Sequence, residues 1–186
     1  IICMRKICLL FLLLFFAGNV GWSQTTAIYK RTDLTIEERV KDLLQRMTPE
    51  EKFWQLFMIP GDLGNDPSKY KNGIFGFQVN TVQQHQGAAA QLLNYKSGQS
   101  AQQTLAKINE IQKYFVEQTR LGIPIIAFDE ALHGLVRDEA TAFPQANALA
   151  ATWDTLRMNN VTGSIAKETK ARGIRHILST AVNIAT

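Results

Sequence analysis

The chain has 186 residues, 46% hydrophobic and 19% charged, an ordinary globular composition whose length points to one domain. Its formal charge of +4 is modest, and its Lys and Arg residues are scattered rather than clustered. That excludes a nucleic-acid surface as the organising feature.

The first 23 residues read as a signal peptide. Met4-Arg-Lys6 supplies a positive start, and Ile7 to Ala17 is an unbroken apolar run of 11 residues, too short to span a bilayer. Gly21 and Ser23 are small residues at the −3 and −1 positions of a cut before Gln24. Both cysteines, Cys3 and Cys8, fall in or before this segment, so the mature chain is expected to lack disulfides and thiol chemistry. The expected destination is the bacterial periplasm or the exterior, with no membrane association after cleavage.

Residues 24–35 form a polar lead. Thr35-Ile-Glu-Glu38 has capping-box spacing and predicts a helix from about Ile36 to Met47, with Val40, Leu43, Leu44 and Met47 on one face. Thr48-Pro-Glu-Glu51 repeats the signal, with proline at the first helical position. The second helix carries Phe53, Trp54, Phe57 and Met58 and stops before Pro60. Trp54 and Phe57 have the spacing of a sugar platform, but on an apolar helix face they read as core.

Gly61 to Lys71 reads as a loop and Gly73 to Asn80 as a short strand, whose two glycines suggest close backbone approach or a bend. Thr81 to Ser100 is Gln-rich and contains His85, a solvated loop histidine without a second metal ligand nearby. Ala101 to Leu121 is amphipathic, with Leu105, Ile108, Ile111 and Phe115 as its stripe and Gly122 as its C-terminal residue. After Pro124, the run Ile125-Ile-Ala-Phe128 is too short for a helix and reads as a strand buried on both faces, as in a parallel sheet. It delivers Asp129 and Glu130 to the strand's C-terminal end, where parallel α/β folds bind ligands. A long loop, Gly134 to Gln145, follows. A helix capped by Thr152 or Asp154, with Met158, Val161 and Ile165 as its buried stripe, then ends at Gly173. A third strand is expected within Ile174 to Ala185.

Phe128-Asp-Glu-Ala-Leu-His-Gly134, followed by Ala140-Thr-Ala-Phe-Pro-Gln145 and Ala148-Leu-Ala-Ala-Thr-Trp-Asp154, resembles the first part of a glycoside hydrolase family 3 enzyme. Arg39-Val-Lys-Asp-Leu-Leu-Gln-Arg-Met-Thr-Pro-Glu-Glu-Lys52 resembles that family's N-terminal helix pair. Ile177-Leu-Ser-Thr-Ala-Val-Asn-Ile-Ala-Thr186 resembles the lead-in to its Asp-Pro-Arg-Trp-Gly-Arg-like motif, with Thr180 and Asn183 where many relatives have proline and aspartate. The resemblance covers about Ile36 to Thr186. It implies an α/β fold in which residues 36–186 form a truncated N-terminal part of a (β/α)8 TIM-like barrel. The chain is therefore read as a fragment.

The resemblance further implies retaining hydrolysis of terminal non-reducing β-D-glucosyl residues, acting on a β-linked glucoside or oligosaccharide. The family's aspartate nucleophile and its acid/base lie on later segments, so no catalytic residue is expected within this chain. Asp129 and Glu130 are not that pair, because adjacent strand residues face opposite ways. By resemblance, Asp129 instead grips hydroxyls of the terminal sugar. An ionised carboxylate accepts several hydrogen bonds, and vicinal hydroxyls present paired donors. His133 and Glu130 are assigned to loop support, Arg137 to a surface charge in preference to a sugar contact, and Phe143-Pro144 to fixing the loop. No metal or organic cofactor is implied. Asp-Glu-Ala-Leu-His-Gly departs from the Asp-Gln-Glu-Gly-Gly of the N-acetylglucosaminidase branch. It resembles the β-glucosidase, β-xylosidase and exo-β-glucanase branches. Xylosidases often lack an aspartate at this point, which favours glucosidase. A non-catalytic carbohydrate-binding module is the alternative of a different class.

Overall fold

The computed structural model of the chain describes residues 27–79 and 98–179. The segment read as a signal peptide, His85, Thr180 and Asn183 lie outside the described residues. The chain divides after Arg46 into two compact units.

In the first unit, helix α1 spans Ile36–Arg46. Its capping box is formed: Glu38 N–H donates to Thr35 Oγ1 at 3.3 Å, and Thr35 N–H donates to Glu38 Oε2 at 3.1 Å. A 3-10 turn, Ile28–Lys30, is tied to α1 by Tyr29 N–H on Asp42 Oδ2 (3.0 Å) and Arg39 Nε on Tyr29 O (3.0 Å). Of the expected apolar stripe, Val40 and Leu44 are exposed, Leu43 is half-buried and Met47, just past the helix, is buried.

The second unit opens with α2, Pro49–Trp54, capped as expected by Thr48 and Glu51. Glu51 also accepts from Arg120 Nε at 2.9 Å. This helix is shorter than its sequence suggests. The chain leaves it after Trp54, and Met58–Pro60 forms strand β1, where the sequence predicts helix through Met58 and a stop before Pro60. The ladder Met58↔Gly76, Ile59↔Phe77 and Pro60↔Gln78 to β2 (Gly76–Gln78) claims these residues. Pro60 is tolerated because β1 lies at the edge of the described sheet. Trp54 packs on the core, its ring 6.4 Å from Tyr70 and edge-on to it, whereas Phe57 is 39% exposed.

Helix α3, Ala101–Gln118, starts at a Ser100–Gln103 capping box and ends earlier than expected, with Thr119 at its C-cap. Gly122 lies beyond the cap, at φ 62°. Strand β3 spans Phe128–Glu130, later than the apolar run. Ile125 is kept out of the ladder by the side chain of Gln112. Its amide accepts from Ile125 N–H (3.0 Å) and donates to Ile125 O (2.6 Å), taking both backbone groups that a neighbouring strand would use. Ile125 and Ala127 are buried, and Ile126 is 39% exposed.

The short helix α4, Ala146–Ala150, precedes α5, Thr155–Ala171, which Asp154 caps by accepting from Arg157 N–H (2.9 Å). Gly173, at φ 81°, turns the chain toward β4, His176–Leu178. The four described strands are parallel and lie in chain order, β1-β2-β3-β4. Sequential parallel neighbours joined by helices are the unit from which α/β barrels are built. Phe77, Ala127 and Ile174 from the strand segments meet Ile108, Ile111 and Phe115 of α3 and Ile165 of α5 in one core.

Candidate sugar-binding site

The site forms at the C-terminal ends of β2 and β3. Gln78 closes β2 opposite Phe128, which places its side chain beside the next residue of β3, Asp129. Asp129 is 1% exposed. Three donors converge on its Oδ1: Arg137 Nη2 at 2.6 Å, Glu130 N–H at 2.8 Å and Gln78 Nε2 at 3.1 Å. Among the described residues, none of these bonds reaches Oδ2. Arg137 Nη2 also lies 3.4 Å from Val79 O, so the guanidinium spans the ends of both strands.

Arg137 corrects the sequence reading. It is a buried partner of Asp129, with a side chain only 4% exposed, and not a surface charge. Gln78 is a second partner of Asp129 that no sequence motif marks. The available signal was a polar side chain at the end of a Gly-rich apolar strand, where a parallel fold gathers its ligands.

Burial pushes the Asp129 carboxyl up to about 6, against the opposing pull of Arg137 and of the hydrogen bonds from Gln78 and Glu130 N–H. Glu130 is also raised, chiefly by burial, and its backbone carbonyl accepts from Val136 N–H at 3.2 Å. His133 Nδ1 stands 3.1 Å from Phe143 O, while Phe143 N–H donates to His133 O at 2.7 Å. The first contact needs the Nδ1–H tautomer. Further along the loop, Thr141 N–H donates to Glu168 of α5 at 3.0 Å and Arg172 Nη2 donates to Asp138 O at 3.0 Å. Gly134 is pressed so close to Thr141 that a Cβ there would lie 2.2 Å from Thr141 O. The loop carrying Arg137 is thus fastened to β3, to itself and to α5.

A cavity of about 100 Å³ lies behind this loop, lined mainly by Leu132, His133, Leu149, Met158, Ile165 and Ile177. A groove of about 430 Å³ runs along α5 past Phe143, Asp154, Arg157 and Asn160. Asp129 lines neither. Among the described residues, no group of three His, Cys, Asp or Glu side chains is placed to hold a metal ion, and no helix is long and apolar enough to cross a membrane.

Residues 36–186 match the glycosyl hydrolase family 3 N-terminal domain. "Probable beta-glucosidase C" of Aspergillus oryzae is 32% identical over 180 residues, 88% of this chain and 27% of the relative. "Beta-glucosidase C" of Emericella nidulans is 34% identical over 171 residues, 86% and 26% respectively. "Beta-xylosidase" of Formosa agariphila is 38% identical over 78 residues, 39% and 11%. The chain therefore spans about a quarter of the length of the two beta-glucosidases. Its ordered parallel strands and crossover helices are part of the family's TIM-barrel-like α/β fold. By this match over most of its length, the chain belongs to glycosyl hydrolase family 3.

Proposed function

We propose that the chain is the N-terminal barrel segment of an exported, retaining β-glycosidase that removes terminal non-reducing β-D-glucosyl residues, and that Asp129 grips the hydroxyls of that sugar. The observation that carries this reading is the placement of Asp129: a carboxylate at the C-terminal end of a parallel strand, held through one oxygen by Arg137 and Gln78. Charge-assisted hydrogen bonds from sugar hydroxyls to a desolvated carboxylate are stronger than neutral ones. The nucleophile and acid/base of a retaining pair stand about 5–5.5 Å apart, and both belong in this proposal to other segments of the full-length protein. The names of the beta-glucosidase relatives support glucose as the sugar. The similarity to a beta-xylosidase supports xylose as the second reading.

The test is to express the full-length protein and assay aryl β-glucosides and β-xylosides, following the anomer first released by NMR. Release of the β-anomer of glucose supports the proposal, faster turnover of the xyloside selects the second reading, and inactivity on all aryl glycosides overturns both. Residues 24–186 alone are expected to be inactive. Export implies a mature N-terminus at Gln24, which N-terminal sequencing of secreted material checks; a mature protein still beginning at Met4 overturns it.

A further inference from the structure

The loop after β3 has fastenings besides the Arg137 side chain, which itself bonds Val136 O and Val79 O. Val136 N–H bonds Glu130 O, His133 and Phe143 clasp one another, and Thr141 is held by Glu168. Burying an arginine to secure such a loop is costly, and a buried ion pair often adds little over apolar packing. Its guanidinium nevertheless sits at the strand ends, 2.6 Å from the one carboxylate assigned to the sugar.

We propose that Arg137 is a positioning residue for sugar binding: with Gln78 it engages Oδ1 of Asp129, keeping that carboxylate ionised and oriented for a ligand hydroxyl. The inference rests on the reading of Asp129 as the sugar-gripping residue. Its chemistry follows from the surroundings. Asp129 faces neutral Gln78 on β2, apolar Ile177 on β4 and cationic Arg137 on the loop, with Glu130 as its titratable neighbour. Burial drives the carboxyl toward its neutral form, and Arg137 is the only cation acting on it among these groups. A neutral carboxyl gives up acceptor capacity for a hydroxyl proton. Losing an adjacent arginine typically raises a carboxyl by about 1–3 pH units. Substrate capture should then fail over a wider acid range.

The experiment measures kcat/KM against pH in the full-length protein for wild type, Arg137→Gln, Arg137→Lys, Asp129→Asn and Asp129→Asn with Arg137→Gln, each with a thermal melt. Arg137→Gln is expected to move the acid limb upward by about one pH unit or more, so that its deficit near pH 6 exceeds that near pH 8 by roughly fivefold or more. Arg137→Lys, which keeps the charge, should restore most of the limb. In the Asp129→Asn background the Arg137 change should leave the limb unmoved.

A deficit equal at every pH, or one that multiplies fully with Asp129→Asn, overturns the positioning role. If Arg137→Gln does not fold, Arg137→Lys alone and in the Asp129→Asn background gives the decisive comparison: a limb at the wild-type pH and no added loss with Asn support the proposal, and an independent loss overturns it. Asp129→Asn with native melting and undiminished kcat/KM removes the sugar-binding reading itself, and this proposal with it. An impaired Asp129→Asn beside a silent Arg137→Gln removes the positioning role alone.

Discussion

Asp129 sets two effects against each other: burial, which favours the neutral acid, and Arg137, which favours the carboxylate. The balance lifts the group from 3.8 to about 6. At about 1.36 kcal/mol per pH unit, ionising it in the folded protein costs about 3 kcal/mol relative to the unfolded chain. Because the folded value is raised, the stability from the protonated form is fully present below about pH 3.8 and is lost as pH rises through about 6. Acidifying from about pH 7.5 to about pH 4 therefore returns roughly 2 kcal/mol from this residue. Glu51 and Asp154, held low by Arg120 and by Arg157, act in the opposite direction, so the wild-type curve alone is ambiguous. Asp129→Asn removes the titration and leaves the other acids in place. Urea unfolding of the two full-length proteins at both pH values should show wild type gaining about 2 kcal/mol relative to the Asn variant on acidification, with unchanged m. Parallel pH dependence means Asp129 does not titrate in this window. A relative loss by wild type means that the ion pair outweighs burial, and the reasoning fails in sign.

Gly76→Ala should be severely destabilising, because its Cβ would stand 1.8 Å from Ile126 O, a backbone atom that cannot swing aside. Overpacking costs typically about 1–3 kcal/mol, and a melt showing less than about 1 would refute the close approach. Gly163→Ala, in the interior of α5 with open space around it, should instead add up to about 1 kcal/mol; a lower melting temperature would count against it. Thr48→Ala breaks the capping box of α2 and should cost about 1 kcal/mol in urea unfolding. Gln112→Met strips both backbone partners from Ile125, at about 1–3 kcal/mol for each group left unpaired. A near-native melt would show that the segment pairs elsewhere.

Local chemistry carried much of this protein into its sequence. Thr35 with Glu38, and Thr48 with Pro49 and Glu51, mark helix starts because the orphan N–H groups of a first turn need acceptors within three residues. The spacing of Ile108, Ile111 and Phe115 marks a helix face, and Gly73 to Asn80 marks a glycine-bearing strand with a close approach, realised at Gly76. The motif from Phe128 to Gly134 points to the family and to Asp129 at a strand end. What escaped local reading depended on partners far along the chain. Met58 to Pro60 join a sheet because Gly76 to Gln78 lie alongside, and Ile125 leaves the ladder because a glutamine 13 residues earlier occupies its backbone. Arg137 reads as an exposed loop charge by its neighbours in sequence. It is buried because the turn at Gly134 and the clasps of the following loop bring it over β3, where a desolvated carboxylate 8 residues back compensates its charge. Capping and periodicity act over one helical turn and are written locally, whereas burial and charge pairing depend on which strands lie side by side, and only the tertiary fold decides that.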